Sequence, residues 1–162
     1  MTTAYVALGS NLEEPVRQLR DGLAALAALP GTRLIASSSF YRSAPVGYRN
    51  QPDFVNAVAA IDTLLDPHAL LGALLGIERD HGRVRDFPNA PRTLDLDIVA
   101  YDGLSLAEAG LTIPHPRAHE RAFVVVPLAE IAPDAELPGR GRARELLSRV
   151  DLGSVVRLEG ES

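Results

Sequence analysis

The 162-residue sequence contains no cysteine, no tryptophan and no lysine, so all 16 of its basic residues are arginine. The absence of cysteine excludes disulfides, thiolate metal sites and cysteine nucleophiles. The absence of lysine excludes Schiff-base chemistry and the phosphate-binding loop that ends in a lysine. Arginine, histidine, carboxylates, hydroxyls and backbone groups are left to perform any chemistry.

The sequence also lacks long apolar runs and an excess of positive charge. No run approaches the roughly 20 apolar residues of a membrane span, and the N-terminal residues lack the basic region of a signal peptide. The net charge of −5 argues against a general nucleic-acid-binding protein, whose affinity comes from a basic face. We therefore expect one cytoplasmic domain over residues 1–162, with neither a nucleic-acid nor a membrane partner.

The apolar spacing predicts strands and helices in a recognisable order. Strands are predicted at residues 4–8, 33–41, 54–61 and 94–101, and helices from Pro15 to a stop at Pro30 and from the N-cap Asp66 to about Arg79. Helical stretches near 120–131 and 143–150 form a C-terminal extension. The order β-α-β-β-α-β predicts an α+β, ferredoxin-like fold with two helices on one face of an antiparallel sheet. Residues 9–11 are interpreted as a turn and cap before the first helix.

Two aspartates alternate along the strand predicted at residues 94–101. Side chains two residues apart on a strand point to the same face, so Asp95 and Asp97 lie side by side while Leu94 and Leu96 face the core. Two carboxylates this close repel each other unless a cation or protons intervene, and oxygen ligands suit Mg²⁺. For the isolated pattern, two solvated aspartates on an exposed strand face are the favoured interpretation, and the neighbouring segment shifts the balance.

The segment before this strand is rich in arginine. Residues 81–93 are predicted to form a loop that contains Arg83, Arg85 and Arg92. Guanidinium groups beside a divalent metal ion suit a polyphosphate. The alternative is a solvated loop whose arginines pair with nearby aspartates, but beside the aspartate pair the phosphate interpretation is favoured.

His115 lies between two prolines, and Arg121 follows shortly after it. His115 and His119 have the spacing of a zinc pair on a helix, but Pro116 disfavours a continuous helix and nothing nearby completes a zinc site. His115 is interpreted as a hydrogen-bond donor to phosphate or as a structural turn residue. Its spacing alone does not decide between these two roles.

Phe54 and Asn56 share one face of the third predicted strand. Together with Phe123, they could hold a flat heterocycle, because two aromatic rings can sandwich it while the amide contacts its polar edge. The alternative is an ordinary core aromatic and a turn asparagine. The loop predicted at residues 43–52 precedes this strand and would lie beside the same pocket.

Six segments occur in an order that resembles a known family. They are Ala7–Leu12, Ser38–Arg42, Gln51–Asn56, Gly82–Arg85, Pro91–Asp97 and Ile113–Pro116, spread over most of the chain. In this pattern the sequence resembles the 6-hydroxymethyl-7,8-dihydropterin pyrophosphokinases of folate biosynthesis. The run Pro-Arg-Thr-Leu-Asp-Leu-Asp-Ile is the most specific part of the resemblance.

The resemblance implies transfer of the β,γ-diphosphoryl group of ATP to the pterin hydroxymethyl group, with release of AMP. It implies that Asp95 and Asp97 hold two Mg²⁺ ions. It implies an ATP site formed by Arg83, Arg85, Arg92, Ile98, Leu111, Thr112, His115 and Arg121. It implies a pterin site formed by Ser43, Ala44, Val46, Phe54, Asn56 and Phe123. The catalytic residues would be Arg83, Arg92 and Asp97, with Asp97 as the candidate proton acceptor, in a monomer whose loops at 43–52 and 82–92 resemble the family's mobile loops.

The sequence also departs from the family pattern. Phe54 stands where some members have tyrosine, Leu75 where some have glutamine, and Phe87 is the candidate for a missing loop tryptophan. A rival interpretation is a non-catalytic small-molecule-sensing module on the same fold, which would need no paired carboxylates beside an arginine loop. A third is a metal-dependent phosphodiesterase, which would release AMP from ATP without a pterin.

Overall fold

The computed structural model describes residues 1–12, 14–45, 50–81 and 93–159. The strands are β1 Thr2–Ser10, β2 Thr32–Ser37, β3 Tyr41–Ser43, β4 Phe54–Thr63, β5 Asp95–Tyr101, β6 Leu106–Glu108, β7 Leu111–Ile113, β8 Glu136–Leu137, β9 Gly141–Arg142 and β10 Val155–Arg157. The helices are α1 Pro15–Ala27, α2 Pro67–Asp80, α3 Ala122–Ile131 and α4 Ala143–Leu146. Short 3₁₀ turns are Ala118–Glu120, Leu147–Arg149 and Leu152–Ser154. No helix among these described residues is both long and apolar enough to span a membrane.

The main sheet is antiparallel and has β4 and β1 at its centre. β5 pairs with β1, β1 pairs with β4, and both β2 and β3 pair with the other side of β4. β10 adds to β3. This order of the βαββαβ elements confirms the predicted ferredoxin-like fold. β6 and β7 form a separate hairpin that the sequence did not predict.

Helices α1 and α2 cover one face of the sheet, as predicted. Leu19 and Leu26 of α1 and Leu70 and Leu74 of α2 are fully buried against alternate residues of β1, β4 and β5. Their spacing of three to four residues places them on one side of each helix. The predicted cap of α2 is present, because the Asp66 carboxylate accepts the Ala69 N–H at 2.8 Å.

The C-terminal extension covers part of the opposite face. Val125 and Leu128 of α3 are fully buried against Val58 of β4 and Val99 of β5, and Leu146 of α4 closes the same cluster. The sheet therefore lies between two apolar layers, of which α3 and α4 supply the second.

Two sequence predictions require correction. The strand predicted at 33–41 is two strands, β2 and β3, because Ser38 replaces strand pairing there: its Oγ accepts the Val58 N–H at 2.9 Å and donates to the Ser39 carbonyl. Residues 9–11 do not cap the first helix. Gly9 and Ser10 belong to β1, and the N-cap of α1 is Glu14, which has φ 59° and no side-chain capping bond.

A β-bulge interrupts the pairing of β5 with β1. Tyr5 lies opposite Ala100 and Val6 lies opposite Ile98, so Val99 is an extra residue on β5. Ile98 packs in the cluster beneath the helices, while Val99 and Ala100 both pack in the second cluster. Bulges redirect side chains in this way and often lie near active sites.

Candidate active site

Three strands bring two of the predicted site residues into one row on the sheet face opposite α1 and α2. Asn56 of β4 and Asp95 of β5 both lie opposite Gly9 of β1, one on each side. In the next row, Ala7 lies between Val58 and Asp97. Strands are about 4.8 Å apart, so the two walls are separated by about 10 Å at the backbone. We call this depression the Gly9 groove, formed by Ala7, Gly9, Phe54, Asn56, Asp95 and Asp97.

The floor of the groove is open because residue 9 has no side chain. A Cβ atom at this position would lie 3.4 Å from Oδ1 of Asn56 and 3.8 Å from Cδ1 of Phe54. The amide oxygen and the edge of the aromatic ring therefore border the space above Gly9. Any side chain larger than alanine would extend into that space.

The Asn56 amide is fixed by β3. Its side chain is buried, and Nδ2 donates to Oγ of Ser43 at 2.7 Å and to the Tyr41 carbonyl at 3.4 Å. The hydrogen-bond network thus assigns both amide hydrogens to β3 and turns Oδ1 toward Gly9. The groove presents a hydrogen-bond acceptor at this point, and Ser43 contributes by orienting it.

Asp95 and Asp97 are half-buried on the groove side of β5, while Leu94, Leu96 and Ile98 are buried on the helix side. The predicted alternation is therefore confirmed. Within the parts of the chain that the structure describes, no three histidine or carboxylate side chains come together as a metal cage. Two half-buried carboxylates on one strand face fit Mg²⁺, which is commonly held by one or two carboxylates together with substrate phosphates and water.

His115 is anchored at the bulge. Its backbone N–H donates to the Val99 carbonyl at 3.0 Å, and its Nδ1 accepts the Arg117 N–H at 3.2 Å. Burial and the positive charge of Arg121 lower the pKa of His115, although Asp95 opposes the shift. The ring is consequently neutral near pH 7, and the bond to Nδ1 places its single proton on Nε2. His115 can therefore donate from Nε2 to an anionic group.

Arg121 and Phe123 stand at the start of α3, on the same side of the sheet as the groove. The Arg121 guanidinium carbon lies 5.5 Å from the centre of the Phe123 ring, within the range of a cation–π contact. Phe123 is half-buried beside the second apolar cluster. A positive group and an aromatic ring are thus held in contact at the start of α3.

The remaining predicted residues differ in burial, and several fall outside the described residues. The side chains of Ile98 and Leu111 are buried in the core, which leaves mainly their backbone groups for a ligand, whereas Thr112 and Ala44 are exposed. Predictions for Val46, Arg83, Arg85, Phe87 and Arg92 fall outside the described residues and stay predictions.

The sequence interpretation missed a carboxylate that joins α3 to β3. Glu130 accepts the Tyr41 hydroxyl at 2.6 Å and both the N–H and the hydroxyl of Ser39 at about 3 Å. Burial opposes ionisation of Glu130, but these hydrogen bonds outweigh it and lower its pKa. Burial and the bond to Glu130 raise the pKa of Tyr41 to about 12. This network holds the helix of Phe123 against the strand that orients Asn56.

Two further residues support the site. Asn11 follows β1 and donates from Nδ2 to Oε1 of Gln51 at 2.7 Å and to the Pro52 carbonyl at 3.0 Å, just before Phe54. Glu78 of α2 is buried and accepts the Leu96 N–H at 2.7 Å. The sequence contains a signal for Glu78, because a carboxylate four residues after Leu74 falls on the apolar side of the helix.

Comparisons with known proteins agree on one family. The family model described as 7,8-dihydro-6-hydroxymethylpterin-pyrophosphokinase (HPPK) matches residues 5–133. A protein of Haemophilus influenzae named 2-amino-4-hydroxy-6-hydroxymethyldihydropteridine pyrophosphokinase is 48% identical over 158 residues, covering 98% of this chain and 99% of that protein. A Pseudomonas aeruginosa protein of the same name is 49% identical over 156 residues, covering 96% of each.

Solved structures show the same fold at much lower identity. The wild-type HPPK-DHPS of Plasmodium falciparum superimposes with a TM-score of 0.71 at 13% identity and covers 91% of this chain. This chain spans only 44% of that longer protein. At this identity the likeness shows the fold, whereas the family comes from the sequence matches.

Proposed function

Because the chain belongs to the 7,8-dihydro-6-hydroxymethylpterin-pyrophosphokinase family, we propose that it transfers the diphosphoryl group of ATP to 6-hydroxymethyl-7,8-dihydropterin and releases AMP. This reaction belongs to folate biosynthesis. The pterin hydroxymethyl oxygen forms a bond to the β-phosphorus, and the bond from that phosphorus to the oxygen bridging the α- and β-phosphates breaks. AMP leaves with the bridging oxygen, and the hydroxyl proton is released.

The observation that carries the proposal is the row Asn56–Gly9–Asp95. Asn56 and Asp95 lie on opposite sides of Gly9, a residue without a side chain, which supports a heterocycle site next to a carboxylate pair. Transfer between a pterin and ATP requires the hydroxyl and the phosphate chain to meet across such a short distance. A floor of glycine and alanine lets both ligands approach the sheet.

We assign the metal role to Asp95 and Asp97, and propose that they hold two Mg²⁺ ions. Mg²⁺ would neutralise phosphate charge and polarise the bridge between the α- and β-phosphates. The pair supplies too few ligands to form a closed cage, so its affinity for the metal should depend on bound nucleotide. Asp97 is also the candidate acceptor for the hydroxyl proton.

His115 and Arg121 are the proposed phosphate-binding residues among the described part of the chain. His115 donates from Nε2 as a neutral ring, and Arg121 contributes a permanent positive charge. Arg83, Arg85 and Arg92 would add further guanidinium groups from the segment before β5. Positioning and electrostatics supply most of the rate enhancement in such a transfer.

The pterin would lie over Gly9 between Phe54 and Phe123. Asn56 offers only its oxygen, so it would accept a hydrogen bond from an N–H group of the ring. Phe54 supplies an aromatic edge without a hydroxyl group, and contact with this ligand is therefore apolar at that position. Ser43 is the last residue of β3 and Ala44 follows it, and both would lie beside the pterin.

A product assay tests the proposal. Protein, ATP, Mg²⁺ and the reduced hydroxymethylpterin should yield AMP and a pterin diphosphate in equal amounts. Formation of ADP would contradict diphosphoryl transfer, and AMP released without pterin would indicate a phosphodiesterase. Binding without nucleotide turnover would restore the sensing-module alternative, which the family matches do not favour. Omitting Mg²⁺ and adding EDTA tests the metal requirement.

Three organisational predictions accompany this function. We propose that residues 1–162 act as one domain, supported by the packing of the C-terminal extension on the same sheet as the family-matched segment. The monomeric state and the cytoplasmic location stay predictions. Sedimentation equilibrium in the presence and absence of ATP would measure the oligomeric state.

A further inference from the structure

Glu78 is a buried carboxylate that contacts β5 between the two candidate metal ligands. It lies on α2, is only 3% exposed, and accepts the Leu96 N–H with Oε2 at 2.7 Å. Leu96 is the residue between Asp95 and Asp97. Burying a carboxylate is costly unless strong hydrogen bonds compensate. The bond from the Leu96 N–H to Glu78 calls for a structural reason.

The geometry of the sheet supplies one. Among the strands of the described residues, β5 lies at the sheet edge and pairs with β1 alone, and N–H groups on the free side of an edge strand lack a strand partner. Leu96 is 4% exposed, so water cannot satisfy its N–H. A buried unpaired N–H costs about 1–3 kcal/mol. At this one peptide group, the Glu78 carboxylate accepts the hydrogen bond that the carbonyl of a further strand would otherwise accept.

We propose that Glu78 is a positioning residue. It fixes the peptide group of Leu96, between Asp95 and Asp97, and thereby sets the direction of both carboxylates toward the metal–nucleotide complex. Side-chain direction on a strand follows the backbone. Rotation of the Leu96 peptide would therefore turn both aspartates together. The metal part of this inference rests on the proposed function, whereas the role of Glu78 in holding the peptide does not.

Two substitutions separate the acceptor from the charge. Glu78→Gln keeps an oxygen that can accept the Leu96 N–H, and Glu78→Ala removes it. Ser38→Ala is the matched control, because Ser38 also accepts a buried strand N–H, that of Val58, at 2.9 Å. For each full-length variant, amide hydrogen exchange at Leu96 is measured without metal or nucleotide. The affinity for Mn²⁺ is then measured with α,β-methylene-ATP by electron paramagnetic resonance of free Mn²⁺.

We expect Glu78→Ala to speed exchange at Leu96 beyond its effect on global stability and to weaken Mn²⁺ binding about tenfold, as loss of a supporting contact does in metal sites. Glu78→Gln should retain Leu96 protection and stay within about threefold of the unchanged protein, since one acceptor replaces another. Ser38→Ala should lose stability without a change in Mn²⁺ affinity.

Two results would overturn the proposal. One is a folded Glu78→Ala protein that binds Mn²⁺ as tightly as Ser38→Ala. The other is a Glu78→Gln protein that keeps Leu96 protected but loses Mn²⁺ affinity, because that result would assign the effect to the charge of Glu78. If Glu78→Ala does not fold, the Glu78→Gln variant decides the question. Absence of Mn²⁺ binding and of AMP formation in the unchanged protein would instead overturn the proposed function, and exchange at Leu96 would still test the peptide contact.

Discussion

One face of the sheet is divided into two halves that differ in composition although the same three strands build both. Where α3 covers it, β4 contributes Val58 and β5 contributes Val99, and both are buried. At the other end, β4 contributes Asn56 and β5 contributes Asp95, with Gly9 between them. The covered half stabilises the fold, and the uncovered half provides polar groups at fixed spacing. The same strands run through both halves, so packing in the covered half also holds the strand positions in the uncovered half.

The largest predicted effect follows from removing charge in the uncovered half. Asp97→Asn should lower kcat/KM about a thousandfold, equivalent to about 4 kcal/mol, because the carboxylate proposed to bind metal and accept a proton is lost. The thermal midpoint should change little, since Asp97 is half-buried. Asp21→Asn makes the same chemical change on the exposed side of α1 and should leave activity unchanged. Normal turnover and metal dependence in Asp97→Asn would contradict its assigned roles.

The opposite outcome is expected in the covered half. Leu128 is fully buried in α3, so Leu128→Ala should reduce the free energy of unfolding by about 3 kcal/mol. Urea denaturation measures this loss. Activity per folded molecule should be retained at a temperature where the variant is folded. A tenfold fall in kcat/KM of the folded variant would show that the two halves are coupled more closely than their contacts indicate.

Filling the floor of the groove tests its use as a binding space. Gly9→Val should raise KM for the pterin about a hundredfold, equivalent to about 2.7 kcal/mol, because branched methyl groups would occupy the ligand's position. Valine suits a strand, so the fold should persist. Gly9→Ala is the graded control: its Cβ would lie 3.4 Å from Asn56, an ordinary contact, and a smaller rise is expected. Equal KM values for all three proteins would place the pterin elsewhere.

The smallest predicted effect concerns the link between the halves. The folded-state pKa of Glu130 is lowered, so its contribution to stability is present above the ordinary pKa of a carboxyl group, near 4.5, and is lost as pH falls through the lower folded value. Glu130→Gln should therefore flatten the acid side of a stability–pH curve by less than about 1 kcal/mol. Glu136→Gln, at an exposed position of β8, should leave the acid side of the curve unchanged. Identical acid limbs for the two variants would contradict the role of Glu130.

The element order and the Asp95–Asp97 face were predictable because each depends on local periodicity. Alternation along one strand determines a face, and an N-cap such as Asp66 determines a helix start. The division between β2 and β3 was not predictable, because it depends on the hydroxyl of Ser38 meeting a residue of β4 twenty positions away. The bulge at Val99 is likewise set by pairing with β1.

The candidate site shows the same limit. Phe54 and Asn56 were paired correctly by spacing, but the row that sets Asn56 and Asp95 on either side of Gly9 requires the register of three strands. Residues 9–11 were interpreted as a helix cap because a glycine followed by polar residues resembles a turn. Glu78 and Glu130 act through long-range hydrogen bonds, so only the tertiary structure identifies what they contact.

The hydrogen bonds on the outer side of β5 also affect how the molecule meets other chains. An open edge strand can template the addition of a foreign strand. Here the Leu96 N–H is taken by Glu78 and the Val99 carbonyl by the His115 N–H, and the bulge at Val99 breaks the regular spacing that a new strand would need. The edge that bears the aspartates is thereby closed to sheet extension, and the strand proposed to bind nucleotide is kept from becoming a site of aggregation.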